Sequence, residues 1–496
     1  MARVPSRQAG CQRHVGGARR GRRGVVVIIL SLMVAIVLVP LVGLAIDGSI
    51  LYLVQARMSA AVDAAALAGA RSLSVGLDLT SQTASATAAA QNFFYANFPS
   101  GYWSTSNLSL SVVVAETAYK TRTVTMQASA SVPLTFMRLM GQTSATVGAL
   151  GQTSRRDVVM IVVLDRSSSM QYAGVCGTMI AAAQNFINQF SNGRDTIGLI
   201  TFMDGYNLTY APTVNFASNS PSLTTVLGEL QCYGDTGTAE ALYQAHSQLQ
   251  QVNLPGALNL VVFFTDGHPN GVAAAYPVKT KTDTRYSWNN TGTLVGTPAS
   301  SCSIQTTLSG VIAQWSGEPA PSTGYTEGLF ATASTSDATT SEQVVSGDSG
   351  CAFNGNQAMI RQDIAYVPAV DSWGNATTGY LPFAAKDLYP SGNPYAGQIR
   401  VDTPTAIVTA STNAADNAAT TIRNDANLTP VIYAIGLGGT TAEPIDTTFM
   451  CRVANDPCSP IYNSGLPTGL YLYSPTATQL NDAFEQVASE ILRISQ

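Results

Sequence analysis

The stretch DVVMIVVLDRSSSM, residues 157–170, decides the fold of this chain. Its apolar run over 157–164 is short and rich in β-branched side chains, which is typical of a strand buried on both faces of a parallel sheet. A carboxylate and two hydroxyls follow where the strand gives way to a turn: Asp165, Ser167 and Ser169. Because ligands of open α/β sheets bind beyond the carboxyl ends of the strands, these three side chains are candidates for a binding site.

The sequence around this stretch alternates between strand-like and helix-like patterns. Further strands are predicted at 196–202, 258–265 and 430–436, and helices at 178–190, 221–231, 238–250, 413–425 and 476–494. Such alternation predicts an α/β fold, with a mostly parallel sheet and helices on both of its faces.

The alternation lapses between residues 271 and 404. This stretch is rich in Ser, Thr, Gly and Asn, yet it holds three of the four tryptophans: Trp288, Trp315 and Trp373. Disordered segments are poor in aromatic residues. We therefore predict a folded, largely β or irregular insertion that borders the site with aromatic side chains; a flexible loop is the alternative.

Two more polar segments face the same crevice in the predicted sheet. The loop GDTGTAEAL, 234–242, opens a helix and carries Thr236 and Thr238, and the tripeptide TDG, which contains Asp266, closes the second apolar strand. Hydroxyl and carboxylate oxygens suit a hard divalent cation: Mg²⁺, with Mn²⁺ or Ca²⁺ as alternatives.

The order D-x-S-x-S, T-x-T-x-x-A-L and T-D-G resembles the metal-ion-dependent adhesion site (MIDAS) of von Willebrand factor type A domains. The resemblance implies a Rossmann-like domain over 151–270 and 405–496, interrupted by the insertion 271–404. By position it implies five metal ligands: Asp165, Ser167, Ser169, Thr236 and Asp266, the last acting directly or through water. Thr238 is the alternative ligand to Thr236, and otherwise the N-cap of the helix.

A site of this kind binds rather than catalyses. The protein oxygens leave one coordination position for a carboxylate of a protein partner. Among the residues near the motif, His268 is the one candidate for acid–base chemistry, and a hydrogen-bonded loop histidine is the simpler interpretation. We therefore expect no enzymatic activity.

The N-terminal region has the pattern of a membrane anchor. Residues 24–46 carry no charge and form about 34 Å of helix, enough to cross a hydrocarbon core of about 30 Å. The tail 1–23 holds seven of the 25 basic residues and no acid, so the positive-inside rule places it in the cytoplasm and the rest of the chain outside. A cleaved signal peptide, with a processing site near 42–45, is the alternative.

Charge and cysteine content fit an extracytoplasmic protein. After residue 23 the chain holds 18 basic and 30 acidic residues, a balance that argues against nucleic acid as a partner. Cys11 falls in the cytoplasmic tail as a free thiol. Six further cysteines predict disulfides in an oxidising compartment. Sequence neighbourhood favours the pairs 451–458, 302–351 and 176–232, and unpaired buried thiols are the alternative.

Residues 47–71 are predicted to continue as a helical stalk. An apolar face recurs at helical spacing, formed by Leu53, Ala56, Ala60, Ala64 and Leu67. Residues 72–150 then form a small α/β pilin-like region, with a helix at 81–97 and strands at 108–114 and 122–132.

Residues 19–71 contain, in order, RRGVVV, the apolar span, DGSILY and VDAAALAGAR. This arrangement resembles the N-terminal region of TadE/TadG-like proteins. The resemblance implies a single-pass protein of the bacterial inner membrane, its bulk periplasmic or at the cell surface. It also implies a role in tight-adherence (Flp) pilus assembly, with pilus or secretion-machinery components as partners. The alternative is a structural scaffold whose A-type domain holds no metal.

Overall fold

The computed structural model describes residues 21–118, 120–278, 285–288, 294–297, 307–315, 325–334, 337, 345, 364–380, 387–438 and 445–495. The chain forms two compact units. The first comprises residues up to 66 together with 90–112 and 125–151, and the second comprises 67–89, 113–124 and 152–496.

The elements before residue 157 include one candidate membrane span. They are α1 (Gly21–Met33), a π-helical turn (Val34–Leu38), α2 (Val39–Arg71), α3 (Leu79–Asn97), β1 (Ser106–Ala118), β2 (Thr121–Pro133) and β3 (Ser144–Arg156). β2 lies between β1 and β3 in a three-stranded sheet. The helical stretch 25–74 is long and apolar enough to cross a membrane, and large apolar side chains are exposed from Val25 to Ile46.

The core of the first unit corrects the predicted apolar face of α2. Val54, Met58 and Val62 of α2 are fully buried in a cluster with residues of α3 and the sheet. Leu53 and Leu67, on the predicted face, are 49% and 37% exposed. Alanine is dense all around this helix, so its bulkier side chains decide which side packs. The predicted stalk is therefore helical but packed into a folded unit.

The second unit is built on a six-stranded sheet. Its elements up to residue 265 are β4 (Val158–Asp165), α4 (Ser168–Tyr172), α5 (Cys176–Ile187), β5 (Thr196–Phe202), β6 (Tyr206–Thr213), α6 (Leu223–Leu227), α7 (Thr238–Val252) and β7 (Leu258–Thr265). The elements after 265 are β8 (Gly271–Pro277), β9 (Arg285–Trp288), β10 (Leu294–Thr297), β11 (Thr307–Trp315), β12 (Tyr325–Phe330), α8 (Pro404–Arg423), β13 (Val431–Leu437), α9 (Thr447–Ala454), β14 (Leu470–Ser474) and α10 (Leu480–Ile494).

The strand order is β14–β13–β7–β4–β5–β6. The first five strands are parallel, and β6 joins β5 antiparallel. Every residue of β4, β5 and β7 is buried. One apolar cluster joins the sheet to α7, α8 and α9, and a second joins its other face to α5 and α10. The predicted α/β fold with a Rossmann-like sheet is confirmed.

Some predicted elements have different bounds. The helix expected at 221–231 is only the short α6, and the one expected at 413–425 begins nine residues earlier, at Pro404, a residue favoured in the first turn of a helix. The strands β3, β6 and β14 were not predicted. β6 is an edge strand of half-buried residues that contains Pro212, so it lacks the apolar run of a central strand.

The insertion contributes strands of its own. β8, β11 and β12 form an antiparallel sheet with β11 in the middle, and β9 pairs with β10. Two predicted disulfides are confirmed, Cys176–Cys232 and Cys451–Cys458. Cys11 and the pair expected between Cys302 and Cys351 lie outside the described residues.

Candidate metal centre

The candidate site lies at the carboxyl edge of the parallel sheet. Asp165 is the last residue of β4, and Asp266 directly follows β7. β4 and β7 are hydrogen-bonded neighbours in parallel register, with Leu164 opposite Phe264. The ends of the two strands therefore bring the two carboxylates to the same edge.

A chain of hydrogen bonds connects four of the five predicted ligands. The N–H of Ser167 donates to Asp165 Oδ1 at 2.8 Å, and the hydroxyls of Ser167 and Ser169 are 2.9 Å apart. Ser169 Oγ donates to Asp266 Oδ1 at 2.6 Å. Thr265, which the sequence analysis did not single out, closes the chain by donating its hydroxyl to Asp165 Oδ2 at 2.5 Å. These side chains form one cluster of oxygens.

The cluster is largely buried, with Ser169 partly exposed. Asp165 is fully buried, and Ser167 and Asp266 are 2% and 3% exposed. Burial raises the pKa of Asp165 to about 6, against hydrogen bonds from Ser167, Thr265 and the backbone of Asp266 that lower it. Without a cation, ionising Asp165 therefore costs the fold free energy.

The loop with Thr236 is held beside this cluster by backbone hydrogen bonds. The N–H of Ser168 donates to the carbonyl of Gly234 at 2.8 Å. The N–H of Thr236 donates to Asn270 Oδ1 at 2.6 Å, and that of Asp235 donates to Asp204 Oδ1 at 2.8 Å. The structure thus places Thr236 at the same edge, without a hydrogen bond between its side chain and the four-residue cluster.

Thr238 does not have the predicted capping role. Gly237 occupies the N-cap of α7, and the Thr238 hydroxyl, fully buried, has no hydrogen-bond partner among the described residues. A Cβ on residue 237 would lie 2.3 Å from the carbonyl oxygen of Asp204, so only glycine fits there. Gly237 therefore occupies the N-cap position, and Thr238 is the first residue of the helix.

Arg166 connects the site to the insertion. Its buried guanidinium lies 3.3 Å from Asp337 Oδ1 and donates to the carbonyl of Gln231 at 3.1 Å. Asp337 also accepts hydrogen bonds from Thr201 and, at 2.6 Å, from Asn207. The sequence analysis missed Arg166, Asp204 and Asn270, because each is a single polar residue in a loop whose path no pattern reveals.

The aromatic residues of the insertion are seen only in part. The half-buried ring of Trp373 packs against Tyr243 and Tyr206, with ring centroids 5.2 and 6.2 Å apart. The side chains of Trp288 and Trp315 lie outside those described. A border of aromatic side chains around the site stays a prediction.

The residues of the site fit a hard cation. No group of three or more His, Cys, Asp or Glu side chains that could hold a metal occurs in the described part of the chain, so the fit rests on two carboxylates and hydroxyls. Four carboxylates at this edge are at most 7% exposed: Asp165, Asp204, Asp235 and Asp266. The guanidinium of Arg166 interacts with Asp165, Asp204 and Asp337. Buried carboxylates in excess over cations favour binding of a positive ion.

The two histidines near these elements differ in their surroundings. His246 on α7 lies 2.9 Å from Asp425 Oδ2 and 3.2 Å from Gln250, which is a structural pairing. His268 is half-buried in the loop after β7.

Two family models match the chain. The von Willebrand factor type A domain matches residues 160–268, and the family described as Flp pilus-assembly TadE/G-like matches 24–72. No curated protein matches the sequence.

Solved structures with a similar arrangement include three bacterial pilus proteins. The pilus adhesin SpaC from Lactobacillus rhamnosus GG is 14% identical with a TM-score of 0.36, over 79% of this chain and 35% of SpaC, so the chain spans about a third of that protein. The vWF domain of the type V pili tip protein Mfa5 from Porphyromonas gingivalis is 16% identical, with a TM-score of 0.35 over 69% of this chain and 97% of that domain. The PilB minor pilin from Streptococcus sanguinis is 12% identical, with a TM-score of 0.33 over 80% of each chain. By its two family matches, the chain combines a TadE/G-like N-terminal segment with a von Willebrand factor type A domain, as a TadG-like protein does.

Proposed function

We propose that this chain is a membrane-anchored, metal-dependent protein-binding protein that acts in adhesion or in assembly of tight-adherence (Flp) pili. The observation that carries the proposal is the hydrogen-bonded cluster of Asp165, Ser167, Ser169 and Asp266 at the carboxyl edge of the sheet, in which all but the half-buried Ser169 are buried. The TadE/G-like match over 24–72 supports the link to pili.

The chain's own residues supply an oxygen-only set for the cation. Asp165, Ser167, Ser169, Asp266 and Thr236 are the proposed ligands, and Thr238 is the alternative to Thr236. A bound Mg²⁺, Mn²⁺ or Ca²⁺ supplies a Lewis-acidic position that a carboxylate of the partner completes. Thr265 orients Asp165 through its 2.5 Å hydrogen bond, and Asn270 holds the loop of Thr236.

The proposed activity is binding without turnover. Its specificity comes from what surrounds the cation, and the insertion reaches the site through the ion pair of Arg166 and Asp337. Partners of this kind are pilus or secretion-machinery components that present an exposed Asp or Glu.

The membrane anchor is part of the proposal. Residues 24–46 cross the inner membrane once, with the basic tail in the cytoplasm and the rest outside. Alkaline phosphatase, which is active only outside the cytoplasm, is the reporter for this topology. We expect activity when it is fused after Gln496 and none when it is fused before Met1; the reverse result contradicts the orientation.

Titration calorimetry of the full chain in nanodiscs with Mg²⁺, Mn²⁺ and Ca²⁺ tests metal dependence. We expect binding of at least one cation to the wild type, its loss in Asp165→Ala, and its retention in Asp482→Ala, which removes an exposed carboxylate from α10. Absence of binding heat with all three cations overturns the metal-dependent function and favours the structural scaffold. Capture of pilus components from native membranes in Mg²⁺ but not in EDTA then tests the partner class.

A further inference from the structure

A short loop of the first unit is fixed to the end of the apolar helix. Asp47 is the first charged residue after 24–46, and it is 2% exposed. Its carboxylate accepts hydrogen bonds from three consecutive backbone N–H groups, those of Thr135 at 3.0 Å, Phe136 at 2.9 Å and Met137 at 2.7 Å. Three charge-assisted hydrogen bonds hold this loop at the level of Asp47.

The same loop also touches the apolar stretch itself. Gly43 is buried, although its neighbours Val42 and Leu44 are 47% and 55% exposed. A Cβ at residue 43 would lie 2.5 Å from Cβ of Phe136, so the glycine allows the close approach of that side chain. Gly43 lies four positions before Asp47, so the Phe136 side chain reaches about 6 Å from the level of Asp47 toward the apolar stretch.

The tip of the loop exposes large apolar side chains. Leu139 is 84% exposed and Met140 is 64% exposed, and Arg138 beside them is exposed too. Twenty residues counted from Val25 end at Leu44 and span about 30 Å, the thickness of a hydrocarbon core. The loop therefore lies next to the point where the helix leaves that core.

We propose that residues 136–140 form a second membrane contact, in which Leu139 and Met140 enter the outer edge of the bilayer and Arg138 meets the lipid phosphates. This inference rests on the proposed span 24–46, because the exposed apolar surface of that helix continues onto the loop. Apolar side chains in the interfacial region are stabilised by burial at the boundary of headgroups and acyl chains, and a basic neighbour adds attraction to phosphate.

A second contact has a mechanical consequence. A single helix is free to change its tilt and to rotate about its axis, whereas interfacial anchors fix both. Because Asp47 and Gly43 bind the loop directly to the helix, the contact fixes the orientation of the first unit on the membrane surface.

Tryptophan quenching by brominated lipid acyl chains tests the proposal on the full chain in phosphatidylcholine vesicles. The four native tryptophans give the baseline, measured on the unsubstituted chain in the same vesicles. Leu139→Trp and Met140→Trp report on the loop, and Leu32→Trp reports on the proposed span. Leu150→Trp is the matched control, because Leu150 is 62% exposed and Gly151 packs against Val62, about 22 Å along the helix beyond Asp47.

We expect the added fluorescence to fall in brominated vesicles for the variants at 32, 139 and 140, and to be unchanged for the variant at 150. Quenching at 32 without quenching at 139 and 140 overturns the loop contact and leaves the span intact. Absence of quenching at 32 overturns the span as well. Quenching at all four positions indicates nonspecific adsorption and also overturns the proposal.

Discussion

Substituting Asp165 by Asn gives opposite results in the absence and in the presence of a divalent cation. Asn has the shape of Asp, and it keeps an acceptor for the Ser167 N–H and a donor for Thr265, whose hydroxyl can turn toward the carbonyl of Gly267, 3.3 Å away. The substitution therefore removes the charge and one of two acceptor oxygens, which also receive hydrogen bonds from the Ser167 hydroxyl and the Asp266 backbone. The stability gained by removing the charge is thus an upper value. A cation ligand is lost, and so is the cost of burying a carboxylate.

The magnitude follows from the pKa of Asp165, which burial raises to about 6. Against an ordinary value near 4, the buried charge costs the fold about 3 kcal/mol. Because the folded state binds the proton of Asp165 more tightly than the unfolded state does, protonation of Asp165 stabilises the fold. This stabilisation is fully present below about pH 4 and is lost as the pH rises through about 6. In EDTA at pH 7.5, Asp165→Asn is thus expected to be more stable than the wild type by up to about 3 kcal/mol.

Magnesium reverses this order. At a concentration one thousand times its Kd, a bound cation stabilises the wild type by about 4.1 kcal/mol, more than the deficit of about 3 kcal/mol in EDTA, and leaves the variant unchanged. Hydrogen–deuterium exchange of the β4 peptide is the assay, because a chain of two units does not unfold in one step. Burial also raises the pKa of Asp157 to about 6. Both proteins contain Asp157, so its effect on stability cancels when wild type and variant are compared.

Asp195→Asn is the control for loss of a buried charge. Asp195 is fully buried, and it accepts hydrogen bonds from Arg155 at 2.6 Å and from the N–H groups of Val158 and Ser191. Removing its charge leaves Arg155 buried without its ion pair, which costs about 3–5 kcal/mol with or without Mg²⁺. Two results refute the reasoning for Asp165: an Asp165→Asn variant less stable than the wild type in EDTA, or equal protection of both proteins by Mg²⁺.

Three further variants test the geometry around the site. Replacing Cys176 and Cys232 by Ser removes the link between α5 and the segment before Thr236. We expect the free energy of unfolding to fall by about 4 kcal/mol and calorimetry to show weaker Mg²⁺ binding. Serines at 451 and 458 are the control: they are expected to cost about 2.5 kcal/mol and to leave Mg²⁺ affinity unchanged. Gly237→Ala places a Cβ against the Asp204 carbonyl. We expect it to lower local stability, measured by hydrogen exchange, by about 1–3 kcal/mol and to weaken Mg²⁺ binding. Gly267→Ala, with open space around its Cβ, is expected to change neither quantity. Thr236→Val removes a proposed ligand and is expected to lower Mg²⁺ affinity more than Thr238→Val; the opposite order assigns the ligand role to Thr238.

The central strands and the oxygen cluster were predictable because they depend on the strongest sequence signals. The runs ending at Asp165 and before Asp266 are mostly apolar, and neighbouring parallel strands bring their carboxyl ends together whatever the loops do. Asp204, Asn270 and Arg166 were not predictable, since their partners are set by the paths of loops. The wrong face of α2 has a different cause, because a helix dense in alanine has little contrast between its sides.

The amino edge of the same sheet shows how the site is connected to the rest of its unit. Asp157, directly before β4, is bound by Arg194 at 3.0 Å, and Arg194 also binds Glu116 at 2.8 Å. Arg122 donates to Ser191 in the loop before β5. Segments 113–124 and 152–195 are therefore joined by ion pairs and hydrogen bonds at one end of β4 and β5, while the oxygen cluster occupies the other end. Between these two ends, β4 is held by ladder hydrogen bonds to β5 on one side and β7 on the other. The central strand β4 thus has the proposed binding site at one end and polar attachments to segment 113–124 at the other.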